Sequence, residues 1–240
     1  MVQKTSLCYW YPRIVGELPT PKTEIVPLID GDIDALFGAL DRKGSVALDD
    51  LICRLLAGAN HFNYPLFLRT DFTSGKHDFK DTCYIRAPGQ VLGHALALFE
   101  DTLCKDLSIE AYVFREFLQL ESGFTAFRGL PISKERRYFV EDGKVLCHHP
   151  YWPEDAIWGE VTRKGDGWKS ILKELNNETP EEIELLTAMA GTFSNLVPGA
   201  WSVDFAKTTY DTPRAWILID AAEAFRSWHP SDCPVAFGGV

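Results

Sequence analysis

A turn signal between two strand-like segments is the feature that most constrains the fold of this chain. Glu135–Val140 and Lys144–Cys147 are strand candidates, and Asp142-Gly143 lies between them. Glycine tolerates the positive φ that a tight hairpin turn requires. The sequence therefore predicts an antiparallel hairpin over residues 135–147.

Strand-like and helix-like patterns alternate along the rest of the chain, without an internal repeat. The other strand candidates are Glu24–Ile29, Tyr64–Arg69, Ala111–Leu120, Trp201–Ala206 and Ala215–Asp220. The helix candidates are Asp32–Leu40, Ser45–Leu56, Gly89–Asp101 and Thr179 to about Phe193, with Asp32, Ser45 and Thr179 available as N-caps. Together these patterns predict an α+β fold, with antiparallel strand pairs and helices packed on them.

Composition and charge exclude several classes of protein. The 240 residues are 46% hydrophobic, which is enough for a real core, and the net charge is −10. An acidic surface of this kind repels nucleic-acid phosphates and anionic membranes, and a nucleic-acid partner is therefore not expected. No apolar run approaches the roughly 20 residues that span a bilayer. We expect no membrane association.

The cysteines and the amino terminus indicate a cytoplasmic protein. The chain has six cysteines, and none forms a C-x-x-C pair. Reduced thiols in a cytosol are the simplest interpretation. The amino terminus lacks the basic start and apolar run of a signal peptide.

An acidic pair could hold a metal ion. Asp204 lies in one strand candidate, Asp220 ends the next, and Glu223 follows three residues later. If the two strands pair, both aspartates reach the same end of one sheet, where hard oxygen ligands suit Mg²⁺. Solvated acids at strand ends are the alternative.

Four cations could bind a phosphorylated ligand. Arg69 ends a strand candidate, Lys76 follows in a loop containing Gly75, and Arg128 and Arg137 lie further on. Guanidinium and ammonium groups offset the charge of a nucleotide triphosphate and orient it. Each could equally be a surface residue, and the Ser-Gly-Lys tripeptide lacks the spacing of a Walker phosphate loop.

Two other motifs have a structural alternative. Cys147-His148-His149 resembles part of a metal site, but we identify no second pair at zinc spacing and therefore expect Cys147 to be a buried thiol. Neighbouring residues on a strand also point to opposite faces. Tyr151-Trp152-Pro153 and Trp158 could line an apolar pocket for an acceptor, although we favour a place in the core.

Six segments in order carry a resemblance to a known superfamily: LPTPKT, YPLFLRTDFTSGK, VFREFL, FRGLPISKERRYFV, WSVDFA and WILIDAAEA. This series resembles the ATP-grasp superfamily, in particular the small clade found in phages and bacteria. It is also similar to the eukaryotic cell-division-cycle family that assists assembly of a translation initiation factor. The resemblance covers roughly residues 18–225. It implies two α+β lobes whose antiparallel sheets grip ATP between them.

The resemblance also implies a domain organisation. Residues 1–60 would form a small amino-terminal region, residues 61–114 the first lobe, and residues 115–240 the second lobe with the metal site. A host cytoplasm is implied if a phage encodes the protein. The loop around Ser74-Gly75-Lys76 would be mobile without nucleotide.

Each nucleotide-binding role is implied by a position that matches the family. Arg69 stands where most relatives place a lysine on the α-phosphate, and Lys76 lies in the loop that covers the phosphates. The remaining positions are the adenine-binding hinge, Arg115, Glu116 and Leu118, and the ribose partner, Glu121.

The metal and phosphate positions match with one departure. Arg137 matches the arginine of the family's E-x-R strand, and Asp204 and Asp220 match the two metal carboxylates. Ala222 replaces the usual metal-binding asparagine and cannot be a ligand. Glu223, one position further on, could compensate through its longer side chain.

The resemblance implies an ATP-dependent carboxylate–amine ligase with Mg²⁺, acting through an acyl phosphate. Arg128 and Arg137 would steady the transferred phosphoryl group. The partners would be ATP, a carboxylate-bearing small molecule or peptide, and an amine acceptor. The alternative is a nucleotide-dependent assembly factor that holds a protein partner, and Ala222 favours this alternative.

Overall fold

Two compact units are built from interleaved parts of the chain in the computed structural model, which describes residues 3–157, 159–161, 167–231 and 233–235. The small unit contains Pro21–Phe117 and Phe127–Leu130. The large unit contains Met1–Thr20, Leu118–Ala126 and Pro131–Val240. Residues 21–60 therefore cluster with residues 61–117, rather than forming a region of their own.

The helices are α1 (Leu7–Ile14), α2 (Asp32–Leu40), α3 (Val46–Ala59), α4 (Val91–Cys104), α5 (Glu154–Ile157), α6 (Trp168–Asn176) and α7 (Pro180–Leu196), with 3₁₀ turns at Lys76–Asp78, Pro88–Gln90 and Ala224–Arg226. The strands are β1 (Thr23–Pro27), β2 (Leu66–Thr70), β3 (Tyr84–Ile85), β4 (Ala111–Glu116), β5 (Ser122–Ala126), β6 (Leu130–Ser133), β7 (Glu135–Glu141), β8 (Lys144–Pro150), β9 (Ala200–Lys207) and β10 (Trp216–Glu223). This mixture of helices and antiparallel sheets confirms the predicted α+β class.

The small unit is one four-stranded sheet with helices packed on it. The strand order is β1-β4-β2-β3, and each neighbouring pair is antiparallel. Helix α3 packs on β1 and β4, and α4 packs on β2. Fully buried side chains such as Leu55, Leu68 and Phe114 fill the space between these layers. Residues 21–60 belong here because β1 is bonded to the central strand β4.

The helix caps in the small unit partly follow the prediction. Ser45 caps α3, and its hydroxyl accepts a hydrogen bond from the Leu48 N–H at 3.1 Å. The prediction that Asp32 caps α2 is wrong, because Gly31 occupies the cap position. Asp32 is instead the first helical residue, and its carboxylate accepts from the Ile29 N–H and pairs with Arg54 at 2.6 Å.

A close approach of α3 to the sheet gives a stability prediction. A Cβ added at Gly58 would lie 2.6 Å from Val26 Cγ2 and 3.3 Å from Phe114 Cδ2. We expect Gly58→Ala to lower the free energy of unfolding by about 1–3 kcal/mol, the usual effect of overpacking. Gly93→Ala in α4 is the matched control, since nothing lies within 4 Å of that position. The control should stabilise by up to about 1 kcal/mol through helix propensity. Chemical denaturation of both variants tests this, and equal effects would contradict the packing argument.

The large unit contains a second four-stranded antiparallel sheet, with the order β10-β9-β7-β8. Its β7–β8 hairpin confirms the prediction from Asp142-Gly143, and both residues have positive φ, 45° and 82°. One bulge lies between Leu218 and Asp220 on β10. In this bulge Ile219 is an extra residue, because Leu218 stands opposite Phe205 and Asp220 opposite Asp204.

Helix α7 covers one face of this sheet, where it packs against β7, β8 and β9. The predicted capping box at its start is confirmed, since the Thr179 hydroxyl accepts from the Glu182 N–H and the Glu182 carboxylate accepts from the Thr179 N–H. Helix α1 packs on α7, and Trp10 and Trp201 both lie against Phe193. The opposite face of the sheet is the one that matters for function.

None of the helices in the described part of the chain combines the length and apolar character needed to cross a membrane.

Candidate functional site

A row of polar side chains crosses the large-unit sheet on the face opposite α7. Arg137 on β7 stands opposite His149 on β8 and opposite Asp204 on β9, and Asp204 stands opposite Asp220 on β10. Directly opposed residues on antiparallel strands project from the same face. The pairing register therefore gathers four separate parts of the sequence into one line, which we call the polar row.

Arg137 and Asp204 form the centre of the polar row. The guanidinium donates from Nε and Nη2 to the two carboxylate oxygens at 2.7 and 2.8 Å. Asp204 is only 4% exposed. Burial by itself would lower the pKa of Arg137, but the charge of Asp204 and its hydrogen bonds raise that pKa above the ordinary value, and Asp220 acts in the same direction. Both groups are therefore ionised, and each holds the other in place.

Asp220 joins the polar row, but Glu223 does not. Glu223 stands opposite Trp201, whose ring packs on Phe193 of α7, so Glu223 belongs to the helix-covered face and pairs with Arg226 at 3.5 Å. Among the residues that the structure describes, Asp204, Asp220 and Glu223 do not form a group with ligand atoms all within 4.8 Å of one another. The parity of a strand explains this, because residues three apart point to opposite faces. Ala222 does share the face of Asp220 and stands opposite Ser202.

In the small unit, Arg69 and Lys76 lie near one buried thiol. Arg69 is 4% exposed, and its Nε donates to the Thr70 carbonyl at 3.0 Å. Burial raises the pKa of the Cys83 thiol to about 12, while the charges of Lys76 and Arg69 act in the opposite direction. Two predicted phosphate ligands are therefore close to the same point, although they are seven residues apart.

The loop before Lys76 is anchored at Gly75. Gly75 is buried with φ of 60°, and its carbonyl accepts a hydrogen bond from the Thr82 hydroxyl at 2.7 Å. A Cβ there would come within 2.8 Å of Leu98 Cδ2. Mobility of this loop stays a prediction, but Gly75 itself is held by packing.

Arg128 lies in the small unit, whereas Arg137 lies in the large one. Arg128 has a positive φ of 59° and is largely exposed. Its guanidinium pairs with Asp78 and, at 3.0 Å, with Asp81. Contacts within one unit therefore do not bring these two predicted phosphoryl ligands together.

Two groups next to the polar row were not identified as structural from the sequence. Arg136 is fully buried on the opposite face and donates to the carbonyls of Leu175 and Asn177 at 3.0 and 2.7 Å. Glu135 accepts hydrogen bonds from the Ser133 hydroxyl at 2.5 Å and from Trp152 Nε1 at 3.1 Å. A pair of adjacent arginines on a strand does carry this signal, since only one can face the site.

The aromatic segment after β8 is divided between two roles. Trp152 is 3% exposed, in agreement with the favoured place in the core. The Tyr151 ring lies under the guanidinium of Arg137, 4.6 Å from its centroid. Trp158 lies outside the described residues.

Comparison with protein families decides the ancestry of this arrangement. The model of a family described as an ATP-grasp domain, the third family of its clade, matches residues 57–236. The chain belongs to this ATP-grasp family. The resemblance drawn from six sequence segments is thereby confirmed at the level of the superfamily. Comparison with curated proteins gave no match.

Solved ATP-grasp structures share the fold at low identity. C-terminally truncated Cdc123 from Schizosaccharomyces pombe is similar over 92% of this chain and 83% of its own, with a TM-score of 0.57 and 12% identity. N5-carboxyaminoimidazole synthase from Aspergillus clavatus, in complex with ADP and 5-aminoimidazole ribonucleotide, aligns over 90% of this chain and 43% of its own, with a TM-score of 0.50 and 12% identity. These likenesses concern the fold alone.

The ATP-grasp hinge position leaves backbone groups available. Arg115 is buried in β4 and donates from Nε to Thr23 Oγ1 at 3.1 Å, and the Glu116 carboxylate accepts from the Lys22 N–H at 2.8 Å. Within the part of the chain that the structure describes, neither the N–H nor the carbonyl of Leu118 has a hydrogen-bond partner. Glu121 is exposed, and its backbone pairs with Lys207 and Lys134. The ligand roles of these residues stay predictions.

Proposed function

We propose that this ATP-grasp protein binds ATP with Mg²⁺ and uses it to join a carboxylate to an amine. The observation that carries the proposal is the polar row, in which Arg137, Asp204 and Asp220 stand side by side on one face of a sheet. An ion pair between Arg137 and Asp204 supplies both signs of charge at the same place. Phosphates require cations, and a phosphate-bound metal requires carboxylates.

Asp204 and Asp220 are the residues that we expect to hold Mg²⁺. Two carboxylates are the usual protein contribution to a magnesium site, and phosphate oxygens and water complete the shell. When bound, the metal would neutralise charge on the transferring phosphoryl group. We do not propose Glu223 as a ligand, because it lies on the helix-covered face and pairs with Arg226.

The other predicted ligands have distinct tasks. Leu118 can donate its N–H and accept at its carbonyl, which is the pattern that the adenine edge requires. Arg69 and Lys76 in the small unit would hold the phosphates, and Arg137 in the large unit would hold the γ-phosphoryl group as it transfers. The remaining proposed roles are the adenine hinge for Arg115 and Glu116, the ribose for Glu121, and the phosphoryl group for Arg128.

The proposed reaction has two steps. A carboxylate oxygen attacks the γ-phosphorus, the bond to the bridging oxygen breaks, and ADP leaves. The amine nitrogen then attacks the acyl carbon, loses a proton, and displaces inorganic phosphate. The protein contributes charge stabilisation and positioning to both steps, which is the usual basis of phosphoryl-transfer catalysis.

A second candidate is a nucleotide-dependent assembly factor that binds a protein partner without ligase turnover. Ala222 favours it, since this residue faces the same side as Asp220 and offers no ligand atom. Such a protein would bind Mg·ATP through the same polar row. The two candidates differ in ADP release, which only the ligase predicts.

Calorimetric titration of ATP, with and without Mg²⁺, tests the proposal. We expect magnesium-dependent binding in the wild type and at least a tenfold loss of affinity in Asp220→Asn, since a charge-assisted contact contributes about 1.5–3 kcal/mol. Glu223→Gln is the matched control and should bind like the wild type. Absence of binding at millimolar ATP would refute nucleotide binding. Binding without ADP release, across pools of carboxylates and amines, would favour the assembly factor.

A further inference from the structure

A group of soft metal ligands lies on the same sheet face as the polar row, at a different position. Cys147, His229 and Cys233 place their ligand atoms all within 4.8 Å of one another. The shortest separation, from Cys147 Sγ to His229 Nε2, is 3.1 Å. The expectation that Cys147 has no companion pair at zinc spacing is therefore wrong. His229 and Cys233 form that pair, separated by three residues.

The pairing register explains how Cys147 reaches this face. Cys147 on β8 stands opposite Phe139 on β7, and both lie two residues along from the polar row. His148, by contrast, stacks on Tyr138 and pairs with Glu178, which belong to the helix-covered side. The alternation predicted for neighbouring strand residues is confirmed, and it assigns Cys147 and His149 to one face.

The chain after β10 brings the other two ligands onto the same face. The Ser227 and Ser202 hydroxyls lie 2.5 Å apart, and the His229 ring packs edge-on against Phe139 with centroids 4.6 Å apart. The Cys233 N–H donates to the Pro230 carbonyl at 3.1 Å, which closes a turn between the two ligands. These contacts make the cluster a packed arrangement and not a chance approach of surface side chains.

A buried histidine beside the cluster gives an independent indication of a missing ligand. His149 is 9% exposed, and its ring centroid lies 5.9 Å from that of His229. Nδ1 lies 2.8 Å from the Pro150 carbonyl, to which it donates, so Nε2 carries the lone pair. Within the described residues, Nε2 has no hydrogen-bond partner although it is buried. Buried polar atoms usually have a partner, and a metal ion satisfies such a lone pair.

We propose that Cys147, His229 and Cys233 bind a zinc ion, which fastens the carboxy-terminal segment to the large-unit sheet. Two thiolates and an imidazole are ligands that select zinc over hard cations such as Mg²⁺. Three protein ligands leave one tetrahedral position, which His149 or water fills. The site is independent of the proposed ATP chemistry, because none of its three ligands belongs to the polar row.

Cobalt substitution of the full-length protein tests the site. Chelator-stripped, reduced protein should bind one Co²⁺, with the thiolate charge-transfer and tetrahedral visible bands, and Zn²⁺ should displace it. Cys147→Ser, His229→Gln and Cys233→Ser should each weaken metal binding more than about 100-fold, since even outer-shell changes cost about 10–100-fold. Cys104→Ser is the control, because Cys104 is an exposed cysteine on α4, and it should bind like the wild type. A weaker loss in His149→Gln would identify it as the fourth ligand.

A second measurement does not depend on variants that fold poorly. Zinc should raise the unfolding temperature of the wild type in a concentration-dependent manner, and a chelator should reverse the increase. Reduced wild-type protein that neither develops the cobalt bands nor gains stability from zinc would overturn the proposal. So would equal cobalt binding by Cys104→Ser and Cys233→Ser, or a Cys147–Cys233 disulfide in protein that binds no metal after reduction.

Discussion

Replacing Arg136 with methionine is expected to lower the free energy of unfolding of the large unit by about 3–5 kcal/mol, the usual cost of removing one partner from a buried charged network. Arg136 is fully buried and donates to the carbonyls of Glu135, Leu175 and Asn177. Its guanidinium also lies 3.4 Å from Glu178 and 3.6 Å from Glu182. Methionine fills much of the volume but leaves all of these acceptors without their donor.

The charge balance at Arg136 supports a large effect. Burial lowers the pKa of Arg136, and the charges of Glu178 and Glu182 oppose this change. The pair of glutamates therefore loses its compensating charge in the variant. Urea denaturation followed by circular dichroism gives the difference. Arg226→Met, at an exposed arginine of the same unit, should change stability by no more than about 0.5 kcal/mol. A loss below about 1 kcal/mol in Arg136→Met would show that solvent replaces the missing donor.

Replacing Arg137 with methionine is expected to weaken ATP binding about 10- to 100-fold and to leave ADP binding nearly unchanged. This prediction rests on the proposed contact between Arg137 and the γ-phosphoryl group, since a charge-assisted hydrogen bond contributes about 1.5–3 kcal/mol. ADP lacks that group and therefore should not sense the change. Competitive titrations of both nucleotides with Mg²⁺ measure the ratio.

Two controls separate nucleotide recognition from folding in the Arg137 variant. Arg226→Met should retain the wild-type ratio of ATP to ADP affinity, because Arg226 pairs with Glu223 on the helix-covered side of the sheet. The unfolding curve of Arg137→Met should be recorded as well, since Asp204 loses its partner. Equal losses of ATP and ADP affinity would place Arg137 away from the terminal phosphate.

Local chemistry made the parts of this fold predictable that depend on few residues. Asp142-Gly143 specifies a hairpin because both residues adopt positive φ. Thr179 and Glu182 specify a helix start through reciprocal hydrogen bonds. The opposition of Asp204 and Asp220 also follows from the sequence, once the two strands are assumed to pair.

Features that depend on tertiary packing were not predictable in the same way. Helix α1 has buried residues at helical spacing, but Pro12 inside it argues against a helix. The separate roles of Arg136 and Arg137 depend on which face α7 covers. The approach of Cys147 to His229 requires the carboxy-terminal segment to fold back over β8, and no local signal encodes that path.

The bulge at Ile219 acts as a phase shift within a single strand. Before it, Leu218 faces α7 with Phe205, and after it, Asp220 faces the other side with Asp204. In an uninterrupted strand, residues two apart share a face, so Asp220 would have followed Leu218 toward the helix. One inserted residue thus lets the same strand serve the core along its first half and a charged surface along its second. Deleting Ile219 would exchange those two surfaces from Asp220 onward without altering any residue of the polar row.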